Sequence, residues 1–231
     1  MSKKRYTNEE IIVLLKKGIE KNISTLYNDK DNSFIDEDEE KTKEGFYYYD
    51  VIAEYLLQPK NKDILEAIPG SGRSLSYKQP THNIRQKEKR LVHGLHKTVF
   101  DDIGEIIDYE IPLYKSKEDK RIGEFDMLAY NGNKKQYSII ELKNQGNTWD
   151  SLLHAILQVC TYYRQLNKEK LITEYENPSD KDIRKVVLIF KDSRQYRELK
   201  SEYMRKLAKL LKVEIFVLDT QKYDLQYPPG R

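Results

Sequence analysis

Apolar residues near the start of the chain recur at helical spacing: Ile11, Leu14, Leu15, Ile19, Ile23 and Leu26. A stripe of that period predicts an amphipathic helix, and Thr7 with Glu10 stands where a capping box would begin it. A second helix, rich in tyrosine, is predicted over 44–57. Between the two, the acidic run DEDEE at 36–40 predicts a solvated loop. Residues 69–82 carry GSGRS and QP, turn chemistry that marks a boundary. Beyond it the pattern becomes mixed. A helix is predicted over 83–100, strands over 104–114, 121–130 and 135–143, and a helix over 150–166. Asn131–Gly132, between the second and third strands, is a hairpin signal. Short apolar runs at 186–190 and 213–218 read as buried strands on either side of a basic helix at 194–212. The order α-β-β-β-α-β-α-β predicts an α/β domain over 81–231 with a central mixed β-sheet flanked by helices, preceded by an N-terminal helical region over 1–80. There is no internal repeat.

The length of 231 residues allows one large domain, or a domain with a helical extension, around a real core. Hydrophobic residues at 38% are too many for general disorder, and a single cysteine, Cys160, excludes an intrachain disulfide. No apolar run approaches the ~20 residues of a membrane span, so no membrane partner is expected. The N-terminal MSKKRYTNEE has no apolar segment behind its charges and does not read as a signal peptide. The expectation is a soluble, cytoplasmic protein. With a net charge of only +3, composition alone demands no nucleic acid.

Chemistry concentrates in 123–145, GEFDMLAYNGNKKQYSIIELKNQ. On a strand, residues two apart share a face, so Glu124 pairs with Asp126 and Glu141 with Lys143. A register centred on a turn at 131–134 places Glu124 opposite Glu141, with Asp126 on the diagonal at roughly 7–8 Å. Carboxylates so crowded need neutralising, and Mg²⁺ suits their oxygens. An ammonium beside them can steady a water that attacks a phosphate. The plainer alternative is a surface hairpin with cross-strand salt bridges. Against it, Ile139, Ile140 and Leu142 surround Glu141, so its charge sits in an apolar strand.

This arrangement resembles the PD-(D/E)xK nuclease superfamily: Asp126 in GEFDML, then Glu141 and Lys143 in ELK, over roughly 83–218. Gln158 and Tyr162 form Q-x-x-x-Y, similar to the accessory motif of the RecB-like branch, and four residues apart they share a helical face. The departure is that Phe125, not a proline, precedes Asp126, as in the many members that lack that proline, and residues 1–80 resemble nothing recognised. The resemblance implies a restriction-endonuclease-like core and a nuclease that hydrolyses phosphodiester bonds in DNA with Mg²⁺, for which Mn²⁺ substitutes. It implies that Asp126 and Glu141 hold the metal, Lys143 orients the attacking water, and Gln158 and Tyr162 support the site. In the helix before the sheet, Glu88 falls on a stripe with Ile84, Leu91 and Leu95 and needs a partner if buried. Either it is the helix glutamate that the superfamily often carries near its metal, or it forms a salt bridge.

Other features add less. His93 and His96 lack the further ligands zinc needs. GSGRS lacks phosphate-loop spacing, and Cys160 reads as core. Basic residues crowd two helices: Arg85, Lys87, Lys89, Arg90 and Lys97 in the first, and Arg194, Arg197, Lys200, Arg205, Lys206, Lys209 and Lys212 in the second. They read as phosphate contacts or as solvated faces. An inactive nuclease-fold module that binds nucleic acid or assembles with a partner is the alternative reading. RNA as substrate and self-association into a homodimer stay open.

Overall fold

A computed structural model of the chain describes residues 5–21, 41–61, 64–65, 74–75, 87–114, 124–145, 150–175 and 182–219. Seven strands form one mixed sheet. They are β1 (Ser74–Leu75), β2 (Val99–Phe100), β3 (Gly104–Tyr114), β4 (Glu124–Asn131), β5 (Gln136–Lys143), β6 (Asp182–Phe190) and β7 (Val213–Leu218). The order is β1-β3-β4-β5-β6-β7, with β2 pairing on β3. Strands up to β5 pair antiparallel, and β5-β6-β7 pair parallel. Helices α1 (Asn8–Lys21), α2 (Tyr48–Leu57), α3 (Lys87–Leu95), α4 (Leu152–Gln165), α5 (Lys168–Glu174), α6 (Arg194–Glu198) and α7 (Glu202–Leu210) complete the described elements, with a short 3-10 turn at Pro59–Asn61.

Two buried clusters fill the faces of the sheet. One joins α1, α2, α4, α5 and α7 to Phe125, Ile139, Val187 and Ile189. The other joins α3 to Met127, Ile140, Leu142, Val186 and Leu188. Adjacent residues of β5 and β6 thus enter opposite cores, which is why these strands read as continuous apolar runs. Helix α1 begins with the expected capping box: Thr7 N–H donates to Glu10 Oε2 at 2.8 Å and Glu10 N–H to Thr7 Oγ1 at 3.1 Å. Helix α2 packs on α7, where Ser201 Oγ donates to Asp50 and Tyr203 OH donates to Glu54 Oε1 at 3.1 Å. The acidic run at 36–40 lies outside the described residues. So does the 69–82 stretch except for β1, which extends the sheet.

Three expectations need correction. The helix predicted over 83–100 ends at Leu95, because Lys97 takes φ +66° and sends its N–H to Ile106 O at 2.9 Å, which starts β2. The helix predicted over 194–212 is two helices. Ser201 interrupts it by accepting the Met204 N–H with its own hydroxyl as the N-cap of α7. The hairpin register is also displaced by two. Asn131 stays in the strand, paired with Gln136, and its Oδ1 accepts from Lys134 N–H at 3.1 Å. The left-handed residue of the turn is Lys135 at φ +50°. The turn therefore spans residues 132–135, and Glu124 does not face Glu141.

Candidate active site

β4 and β5 stay paired back to Met127–Ile140, where the ladder ends. Continuing the same register sets Asp126 beside Glu141. The ladder ends because a side chain replaces it: Asp126 Oδ2 accepts the Leu142 backbone N–H at 2.6 Å. On the other side, Asp126 falls between the β3 pairs Tyr109–Met127 and Ile111–Phe125, opposite Glu110. Glu110 is buried with φ +50°, a strain of about 1–3 kcal/mol for a residue with a side chain. Both strands change face at this point. Tyr109 and Met127 pack with the α3-side core, while Ile111 and Phe125, each two residues away on its strand, pack with the α4-side core. The strict alternation assumed for Glu124 and Asp126 is broken between them.

On β5, Glu141 and Lys143 are each only 2% exposed. Three acceptors surround Lys143 Nζ: Glu141 Oε1 at 2.9 Å, Asp150 Oδ2 at 3.2 Å and Gln158 Oε1 at 3.2 Å. Gln158 Nε2 in turn donates to Tyr162 OH at 2.9 Å, which fixes the amide so that its oxygen faces the lysine. The i, i+4 spacing on α4 therefore brings both accessory residues to the site. Glu141, Lys143, Gln158 and Tyr162 form one hydrogen-bonded chain, with Asp126 on the adjoining strand.

The site's electrostatics follow from its burial. Burial pushes the Glu141 carboxyl above its ordinary value, opposed by the Lys143 ammonium. Burial, and next the negative charge of Glu141, push the Tyr162 hydroxyl up, so it remains protonated. Glu141 Oε2 is buried with no hydrogen-bond partner among the described residues. An orphaned carboxylate oxygen next to a second carboxylate is a donor set that fits Mg²⁺. Among the described residues, no group of three or more His, Cys, Asp or Glu side chains could hold a metal. Among the described residues, the carboxylates at this point are Asp126, Glu141 and, through Lys143, Asp150.

Two participants were missed by the sequence reading. Asp150 pairs with Lys143, and its Oδ1 lies 3.4 Å from His154 Nδ1. Their only sequence signal is an Asp-x-x-x-His spacing at a helix start. Glu88 falls in α3, but its side chain, like that of Lys89 and the whole of Arg85, lies outside the described residues. The rings of His93 and His96 both pack on Tyr109, with centroids 4.3 and 5.0 Å away. Arg194, expected at a phosphate, is instead buried, its Nε donating to Glu198 Oε1 at 2.7 Å one turn along α6. Arg197, Lys200 and Lys206 are exposed, Lys206 in an ion pair with Glu202 at 2.6 Å. Cys160 is core, and burial holds its thiol up at about 11. No described helix is long and apolar enough to cross a membrane. A scan against protein-family models, a search of curated proteins and a search of solved structures each returned no match.

Proposed function

We propose that this chain is a metal-dependent nuclease with a restriction-endonuclease-like core, acting on phosphodiester bonds in DNA. One observation carries the reading. A glutamate and a lysine two residues apart on one strand are both buried, and the glutamate keeps an oxygen without a hydrogen-bond partner among the described residues. Burying such charges is costly, and ordinary salt-bridging does not explain the unused oxygen. The resemblance of the sequence to PD-(D/E)xK nucleases supports the same reading.

Asp126 and Glu141 would hold the cation, which when bound supplies charge neutralisation and a polarised phosphate. Lys143 donates N–H toward the attacking water and offsets charge developing on the phosphate. Gln158, steadied by Tyr162, sets the direction of that ammonium. Exposed Arg197 and Lys200, on and just after α6, and Lys206 on α7 offer phosphate contacts. A binding-only module is the second reading, favoured by the commitment of Lys143 to three protein acceptors, which suits a structural ion pair.

The test is incubation with linear, circular and single-stranded DNA and with RNA, in Mg²⁺, Mn²⁺ or EDTA, for wild type and Glu141→Gln. Cleavage should require the metal and vanish in the variant. A variant that cuts like wild type removes Glu141 from the site.

A further inference from the structure

Much buried polar structure lies beneath one residue, Asp150. Its backbone C=O accepts from Gln195 Nε2 at 2.6 Å. The Ser151 hydroxyl caps α4 by accepting the His154 N–H at 3.0 Å. The Leu152 N–H donates to Glu198 Oε2 at 2.5 Å, and Arg194 holds that glutamate from its other oxygen. Ser151, Arg194, Gln195 and Glu198 are all at most 5% exposed. A buried network of this kind specifies a single backbone geometry. Above it, the Asp150 carboxylate is 26% exposed and reaches Lys143.

We propose that Asp150 is a positioning residue, the fixed counter-charge that keeps the Lys143 ammonium in place when a cation engages Glu141. This rests on the nuclease reading above and names the regulation of the ammonium within that site. Of the three acceptors around Lys143, Gln158 is neutral and Glu141 is the one a cation claims. Positive charge arriving at Glu141 weakens its hold on the lysine and repels the ammonium. Asp150, 3.2 Å from the ammonium, still offers it an anionic acceptor. Its backbone is anchored by α6 through side chains that take no part in metal binding.

The test uses the full chain and Asp150→Asn, which removes charge and keeps shape. Single-turnover cleavage should fall ~10–100-fold, the scale of a misplaced catalytic group. Calorimetric Mn²⁺ affinity and DNA affinity in Ca²⁺ should stay within about two-fold, since neither uses this carboxylate. Asp150→Glu, which restores the charge, should recover part of the rate. Gln195→Met should lower the rate without touching the carboxylate, and serves if Asp150→Asn fails to fold. A readout independent of cleavage is the ¹⁵N signal of the Lys143 ammonium, identified by its absence in Lys143→Met. It should persist in wild type with saturating Mg²⁺ and disappear in Asp150→Asn. Wild-type cutting and an intact ammonium signal in Asp150→Asn overturn the proposal. So does a loss of Mn²⁺ affinity in step with the rate, which makes Asp150 a ligand. If wild type cuts nothing, the nuclease reading fails, and the ammonium signal alone decides whether Asp150 holds the lysine.

Discussion

Burial raises the Glu141 carboxyl above its ordinary value of 4.5, and Lys143 opposes the shift without reversing it. Near 4.5 and below, folded and unfolded chains both carry the proton. As pH rises toward the folded value, the folded chain keeps a proton that the unfolded chain releases, so stability declines. Glu141→Gln removes that ionisation, while Lys143 keeps Asp150 as counter-charge. Without metal, the variant should therefore melt at or above wild type at pH 7, where 1 kcal/mol corresponds to ~2–4 °C for a domain of this size. The gap should close as pH falls toward 4.5. A variant that melts well below wild type at pH 7 would show that the carboxylate is chiefly a structural partner of Lys143. At this scale, the contact of Lys143 with Glu141 two residues away and that of Gln158 with Tyr162 four residues away were legible from spacing, whereas the place of Asp126 was not, because the expected hairpin register was off by two. Asp150 and His154 were not, because their role depends on where α4 lands against β5, and no local period encodes that.

The strands at 104–114 and 213–218 coincide with their expected bounds, although β3 carries a register shift between Ile106 and Asp108 and a left-handed Glu110. Breaks set by a single residue were not legible: the Ser201 cap, the left-handed Lys97 and the choice of Lys135 over Gly132 for the turn. Nor was the paired change of face at Glu110 and Asp126, which needs two strands to agree. The hairpin supporting the site depends on Gly104, which has φ +97° and where a Cβ would stand 2.2 Å from Tyr130 O. Gly104→Ala combines a forbidden contact with backbone strain and should lower unfolding stability by ~2–4 kcal/mol in denaturant melts. A loss below about 1 kcal/mol would mean that β3 and β4 do not approach as closely as described.

For the proposed DNA substrate, a net charge of only +3 makes the location of charge matter more than its sum. Helix α6 anchors the Asp150 loop from inside, through Gln195 and Glu198, and turns Arg197 outward. Replacing Arg197, Lys200, Arg205 and Lys206 together with alanine should weaken duplex binding. It should also flatten the salt dependence, by ~0.9 in log–log slope for each phosphate that is no longer neutralised. Unchanged affinity and slope would make this a solvated face. The central claim, that a buried Glu-x-Lys strand end beside Asp126 performs metal-dependent phosphodiester cleavage, is tested most directly by single-turnover cleavage with Lys143→Met beside wild type, with DNA affinity measured in Ca²⁺. The account predicts wild-type cleavage that EDTA abolishes, and a fall of ~10²–10³ in the variant at unchanged affinity, the scale of one preorganised donor. Cleavage by Lys143→Met at the wild-type rate, or no metal-dependent cleavage of any DNA or RNA by wild type, would contradict it.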